Sequence, residues 1–225
     1  MSRTVLITGA NRGVGLALAR AAAKRGDAVI GTARDPGAAT ELRAVAETHG
    51  LDVTDPAACA ALASALGDRA VDILICNAGA LVGRGGLDDP AYDAGSFSSV
   101  LMTNVAGVFF TVRALAPALR RARGAKLAVI SSRMGSSAAS NGASYLYRAS
   151  KAAATNLALN FAAELGRDGI AVGSYHPGWV RTDMGGAGAD IDAETSARGL
   201  LARIDALSTA TTGVFEDYAG RPIPI

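Results

Sequence analysis

Tyr147 and Lys151 stand four residues apart in Tyr145-Leu-Tyr-Arg-Ala-Ser-Lys151, so on a helix they project from one face. A phenol beside an ammonium suits carbonyl chemistry. Hydride arriving at a carbonyl carbon leaves charge on oxygen, and a nearby acid must protonate it. The ordinary tyrosine pKa is near 10, and a neighbouring cation is expected to lower it. Tyr147 is thus the candidate acid/base and Lys151 its tuner. Tyr145 meets Ala149 four residues on and cannot form such a pair. Upstream, Ser131-Ser132 closes a β-branched run, where a hydroxyl can hydrogen-bond the developing oxyanion. No Gly-x-Ser-x-Gly turn is present, and neither His49 nor His176 has a nucleophile beside it, so a serine hydrolase is poorly supported.

A second constellation lies near the N-terminus. The run Thr8-Gly9-Ala10-Asn11-Arg12-Gly13-Val14-Gly15 follows an apolar strand and opens a helical stretch. Glycines at such a turn let a pyrophosphate approach the backbone N–H groups at the positive end of the helix. The spacing is G-x-x-x-G-x-G. After the second strand, where an acid would bind a ribose 2′-hydroxyl, Ala33 and Arg34 follow instead. Arginine can pair with a 2′-phosphate, and Arg12 offers a second cation, so the expected cofactor is NADP(H).

These residues need elements to position them. Short apolar runs at 4–8, 28–32, around 50–53, 71–76, 126–131, 170–175 and 213–217 read as strands. Between them, helical segments are expected at 13–25, 38–48, 56–66, 96–123, 145–167 and 193–207. The strands are apolar throughout rather than alternating, as in parallel sheets covered on both faces. Strict β–α alternation predicts an α/β fold, a Rossmann-type doubly wound parallel sheet of about seven strands, in a single domain over 1–225. Asp55-Pro56 is a helix start. Stretches 83–95 and 184–189 read as loops of a size that commonly carries function.

Composition narrows the partners. The 225 residues carry 22 basic and 20 acidic side chains, a balance that gives no reason to expect nucleic-acid binding. The densest basic run, Arg120-Arg121-Ala122-Arg123, suits a solvated helix C-terminus. No apolar stretch is expected to reach the roughly 18 residues of a membrane span. Cys59 and Cys76 have no metal-ligand spacing, so the expectation is a cytoplasmic protein with reduced thiols, no metal and no membrane partner. Glycine is in excess, 27 residues or about 12% against a usual 7% or so, which fits several tight turns.

Taken together and in order, Thr8-Gly9-x-x-x-Gly13-x-Gly15, Asp52-Val53, Asn77-Ala78-Gly79, Asn104, Ser132, Tyr147-x-x-x-Lys151 and Pro177-Gly178 resemble the short-chain dehydrogenase/reductase family over essentially the whole chain. Ser131–Ser136, Tyr147–Lys151 and His176–Met184 are similar to its C-factor/sniffer-type carbonyl reductase branch, which includes a bacterial signalling protein. The resemblance implies NADPH-dependent reduction of a ketone or aldehyde to an alcohol, reversibly. Under it, Ser132 orients the carbonyl, Tyr147 exchanges the proton, Lys151 also holds the nicotinamide ribose, and Asn104 holds a water in a relay through Lys151. It implies that Asp52 and Val53 contact the adenine, that Asn77, Ala78 and Gly79 line the crevice, and that Pro177, Gly178, Val180 and Thr182 lie against the nicotinamide. Leu81, Val82, Met134, Tyr145, Trp179 and Met184 are expected at the mouth and favour an apolar or aromatic carbonyl compound. Relatives form homodimers or homotetramers through the fourth and fifth helices, where Ala152, Ala153 and Ala154 permit close packing. A cofactor-binding signalling or regulatory protein is the alternative function. Three departures are visible: the segment Glu47–Asp52 is short for a third strand plus its connections, Ser132 and Tyr147 stand fifteen apart, wider than the commonest spacing, and Cys76 occupies a place where the family often has asparagine.

Overall fold

A computed structural model describes residues 2–225. Seven strands, β1 (Thr4–Ile7), β2 (Ala28–Ala33), β3 (Glu47–Gly50), β4 (Ile73–Cys76), β5 (Lys126–Ile130), β6 (Ala171–His176) and β7 (Val214–Asp217), form one parallel sheet. Their order is β3-β2-β1-β4-β5-β6-β7. The chain therefore winds outward from β1 in one direction, then restarts at β4 and winds in the other. Between β1 and β4 the crossover helices lie on opposite faces, which leaves a crevice at the carboxyl ends of these strands.

Successive strand residues feed two cores. Leu6, Leu74, Leu127 and Val129 point to one face, packed with α3 (Pro56–Leu66), α5 (Gly107–Arg121) and α6 (Tyr145–Leu165). Val5, Ile7, Ile73, Ile75, Ala128 and Ile130 point to the other, under α1 (Gly13–Lys24), α2 (Thr40–Arg43) and α7 (Ala193–Ala206). Burial on both faces is why the strands read as unbroken apolar runs. Asp55 caps α3, its carboxylate accepting the Ala57 N–H at 2.8 Å beside Pro56. At the end of α5, Arg120 pairs with Asp168 at 2.7 Å and Arg121 donates to the Gly67 carbonyl, so the basic run is a helix C-terminus.

Two expectations are corrected. The helix expected over 38–48 is only α2, a single turn, and the third strand begins at Glu47 rather than near residue 50. Parallel pairing of Glu47–Gly50 with Ile30–Ala33 overrides the helical propensity of the Ala-rich stretch. As an edge strand it carries Glu47, Thr48 and His49, polar residues that read like a helix surface; Glu47 is held by Arg69 through two bonds of 2.6 and 2.7 Å. Separately, α4 (Ala94–Leu101), a π-helical turn (Met102–Ala106) and α5 make one helical stretch of 28 residues, with mean hydropathy 1.5 in its most apolar window. That stretch is long and apolar enough to cross a membrane, contrary to the sequence expectation. In the fold it forms part of the helical layer, α5 packing on α3.

Leu42 is the one buried side chain of α2. It lies so close to Gly31 that a Cβ there would meet its Cδ1 at 2.6 Å. Leu42→Ala is expected to lower the unfolding free energy by about 2–5 kcal/mol, measured by urea denaturation; a change below about 0.5 kcal/mol, the range of surface substitutions, would contradict this anchoring.

Candidate active site

A cleft of about 2150 Å³ runs along the carboxyl ends of the central strands. At one end is the turn after β1. The Thr8 hydroxyl accepts the N–H groups of Asn77 (3.0 Å) and Ala78 (3.1 Å), and the Asn77 amide donates to the carbonyls of Thr8 and Gly9. This staples the turn to the end of β4, while Ala10 N–H donates to the Thr32 carbonyl of β2. The packing leaves no room for side chains. A Cβ on Gly15 would lie 2.3 Å from the Gly9 carbonyl oxygen, and one on Gly9, whose φ is +61°, would lie 2.9 Å from the Ala78 Cα. A glycine-rich turn at the start of α1 is thus presented to the cleft, a cradle that fits a dinucleotide pyrophosphate. Gly9, Asn11, Arg12, Gly13, Val14, Gly15, Arg34, Asp52, Val53, Asn77, Ala78 and Gly79 all line the cleft.

Arg34 is exposed at the end of β2 and makes no ion pair among the described residues. Nearby Asp52 is held below the usual carboxylate range, chiefly by the Thr54 hydroxyl and N–H, with a smaller contribution from Arg34. Arg12 departs from expectation. It reaches across the cleft to Asp183 at 3.0 Å, so the second cation expected for a 2′-phosphate is engaged elsewhere.

The other end is built on α6. Its first turn follows Ser144, which adopts a left-handed conformation (φ +53°). Arg148 clamps the preceding loop by donating to the carbonyls of Ala139 (2.8 Å) and Ala143 (2.9 Å) and to the Asn141 side chain (2.7 Å). The turn after β5 is pressed against the same helix: Ser131 donates to the Lys151 carbonyl at 3.0 Å, and a Cβ on Gly135 would meet the Lys151 carbonyl carbon at 2.7 Å. This brings Ser132, buried, to the phenol of Tyr147, also buried. The Lys151 ammonium donates to the Ile130 carbonyl at 2.8 Å and lies 5.7 Å from the centroid of the Tyr147 ring.

Asn104 sits in the π-helical turn, an irregularity common at functional sites. Both N–H groups of its amide are spent on protein: Nδ2 donates to the Ala80 carbonyl and to the Ser150 hydroxyl, at 2.8 and 2.9 Å, while Oδ1 accepts the Ala80 N–H at 2.7 Å. Ser150 in turn donates to the Tyr147 carbonyl. Asn104 is also near Lys151, since a Cβ on Gly79 would lie 3.3 Å from Asn104 Oδ1 and 3.5 Å from Lys151 Nζ.

The electrostatics differ from the sequence expectation. Burial pushes the Tyr147 phenol up to about 12, with the Ser132 hydroxyl and the Arg84 charge pulling the other way. The Lys151 ammonium, 5.7 Å from the ring centroid and bonded to a backbone carbonyl, does not offset this burial. Burial instead brings Lys151 down to about 8. At neutral pH the phenol keeps its proton and the lysine its charge.

Not every expected residue reaches the cleft. Tyr147, Lys151, Pro177, Thr182, Leu81 and Met184 line it. Asn104 and Ser132 stand behind that wall. Gly178 is packed under Ile191 and Tyr218, and buried Val180 bridges to Ile191. Of the expected mouth residues, Val82, Met134, Tyr145 and Trp179 lie off the lining: Tyr145 stacks edge-on against Tyr92, and the Trp179 indole donates to the Gly185 carbonyl. The mouth is less apolar than expected, because Arg84, Arg181 and Asp183 line it. None of these three, nor the clamp Arg148, has a role in the sequence reading, because a single charged residue carries no spacing to mark it.

Comparison with known proteins agrees with this fold. The family model described as "short chain dehydrogenase" matches residues 3–190. A 1-hydroxy-2-glutathionyl-2-methyl-3-butene dehydrogenase of Rhodococcus sp. (strain AD45) is 35% identical over 96% of this chain and 97% of its own length. The C-signal protein of Myxococcus xanthus is 38% identical over 68% of this chain and 92% of its own. Among solved structures, the carbonyl reductase Sniffer of D. melanogaster superposes with TM-score 0.91 at 27% identity, over all of both chains. An NADPH-bound carbonyl reductase from chicken fatty liver also gives TM-score 0.91, at 30% identity over 100% of this chain and 99% of that one.

Proposed function

The chain belongs to the short-chain dehydrogenase/reductase family of oxidoreductases, and from that premise we propose that it is an NADPH-dependent reductase of ketones or aldehydes, working reversibly. The observation that carries the reading is the meeting of a proton-bearing phenol and a buried ammonium, with a serine hydroxyl behind the phenol, in the same cleft as a glycine-rich turn that fits a phosphate.

The residues present fit a dinucleotide. Backbone of the Gly9–Gly15 turn would hold the pyrophosphate, Arg34 the 2′-phosphate, Asp52 and Val53 the adenine, and Asn77, Ala78 and Gly79 the middle of the crevice. Lys151 would hold the nicotinamide ribose, and Pro177 and Thr182 the nicotinamide amide. The bound reduced nicotinamide supplies the hydride. Ser132 orients the substrate oxygen. Tyr147, protonated at neutral pH, gives its proton to that oxygen as negative charge develops. Lys151, cationic below about pH 8, favours the resulting phenolate electrostatically. With both N–H groups of its amide spent on protein, Asn104 acts as a positioning residue that ties the turn after β4 to the first turn of α6 through Ser150. Assembly into a dimer or tetramer belongs to the same reading, supported by Phe97, Leu101 and Phe109 exposed on the long helical stretch.

A signalling role, in view of the Myxococcus xanthus relative, is the second reading. It does not account for the Tyr147–Lys151–Ser132 arrangement, so it stands beside catalysis rather than in its place.

Tyr147→Phe is expected to lose at least about 100-fold in kcat against a carbonyl panel while still binding NADPH, read by cofactor fluorescence; wild-type turnover would contradict the assignment. Arg34→Asp is expected to shift the kcat/KM ratio from NADPH towards NADH, and an unchanged ratio would overturn the 2′-phosphate role.

A further inference from the structure

The substrate end of the cleft carries a cation that no carboxylate answers. Among the arginines lining the cleft, Arg12 pairs with Asp183, Arg20 with Glu41, and Arg198 stands 3.9 Å from Glu194. Arg34 lies at the adenosine end. Arg181 and Arg84 form no ion pair among the described residues, and each donates to a backbone carbonyl, Ala189 for the one and Met184 on the opposite wall for the other. They differ in where the charge falls: that of Arg181 acts on Asp192, that of Arg84 on the Tyr147 phenol. A carbonyl contact leaves that charge unneutralised and most of the five-donor fork unspent.

An acid is close in sequence yet committed elsewhere. Asp89 Oδ2 accepts the backbone N–H groups of Arg84 (2.9 Å) and Gly85 (2.7 Å), and Oδ1 accepts that of Ala91 (3.0 Å). Asp89 therefore shapes the loop rather than pairing with the guanidinium. The loop is also fixed to the reacting centre. Ser144 N–H donates to the Gly85 carbonyl at 3.0 Å and the Ser144 hydroxyl to the Arg84 carbonyl at 3.4 Å. Tyr92 donates its hydroxyl to the Gly85 carbonyl and accepts the Tyr145 N–H, both at 3.1 Å. Gly83, at φ +71°, lets the chain pass against the Tyr92 ring, where a Cβ would come within 2.1 Å. Ser144 and Tyr145 stand three and two residues before Tyr147, so the backbone bearing Arg84 is registered to the first turn of α6, which carries the phenol.

We propose that Arg84 is a specificity-determining residue that binds a carboxylate carried by the carbonyl substrate, making negatively charged aldehydes or ketones the preferred substrates. The assignment rests on the reductase reading above. A guanidinium takes a carboxylate in two parallel, charge-assisted hydrogen bonds, which fixes the distance between the anionic group and the carbonyl delivered to Tyr147 and Ser132.

The test compares 4-carboxybenzaldehyde with its methyl ester, which differ in charge but share the reacting carbonyl. NADPH-dependent kcat/KM is measured for both in wild type, Arg84→Met and Arg84→Lys, with calorimetric binding of the acid to the NADP+-loaded protein. The acid-over-ester ratio of kcat/KM is expected to fall by about 10-fold or more in Arg84→Met, mainly through KM, and to recover partly in Arg84→Lys. Binding of the acid weakens in parallel. An unchanged ratio, with the ester still reduced, overturns the Arg84 assignment and leaves the reductase reading intact. Binding of the acid that depends on Arg84, with neither compound reduced, overturns the reductase reading and supports the anion site. Failure of the wild-type protein to bind the acid overturns the proposal.

Discussion

Burying the Lys151 ammonium is the constraint on which the rest of the site depends. A charge removed from water is costly unless it is partnered, and the chain supplies one direct acceptor, the Ile130 carbonyl at the end of β5, together with the face of the Tyr147 ring. The penalty appears in Lys151 itself, brought down to about 8. To hold the amine there, the turn after β5 must lie flush on α6, which is why Gly135 meets the helix backbone and Ser131 bonds the Lys151 carbonyl. The same contact carries Ser132 to the phenol. One packing requirement thus assembles the three groups that the proposed chemistry uses.

The opposite end of the cleft is governed by absence of side chains rather than by charge. Close approach between the turns after β1 and β4 excludes a Cβ at Gly9 and Gly15, and the Thr8 and Asn77 bonds keep those turns in register. Both ends hang from the same place in the topology, where the strand order reverses between β1 and β4. Asn104 links the two: it holds Ala80, just beyond the cofactor crevice, to Ser150 within the first turns of α6.

Much of this was legible in the sequence because it rests on spacing. The i,i+4 pair Tyr147 and Lys151, the glycines between β1 and α1, and the alternation of apolar runs with Ala-rich helices each follow from backbone geometry. What escaped depends on tertiary context. The edge strand Glu47–Gly50 is polar because one side of it faces solvent, so only its pairing with β2 distinguishes it from a helix. The long apolar stretch Ala94–Arg121 was underestimated because Ser, Thr and Asn residues interrupt its letters without interrupting its helix. Arg12, assigned to a phosphate by position, is diverted by Asp183, a residue 171 positions away. Most consequentially, proximity to a lysine predicts a lowered phenol pKa, whereas burial raises it; desolvation cannot be read from spacing.

The central claim is that a buried, cationic Lys151 supports proton delivery from a still-protonated Tyr147. It is tested most directly by the pH dependence of kcat/KM for NADPH-driven carbonyl reduction. The ammonium is present below its pKa and lost above it, so the wild-type rate is expected to be level near neutrality and to fall as pH rises through about 8. In Lys151→Arg, whose side chain keeps its charge throughout this range, that fall is expected to disappear, even if the plateau is lower. A wild-type profile that stays level to about pH 10, the ordinary lysine range, or a fall near 8 that persists in Lys151→Arg, would contradict the account.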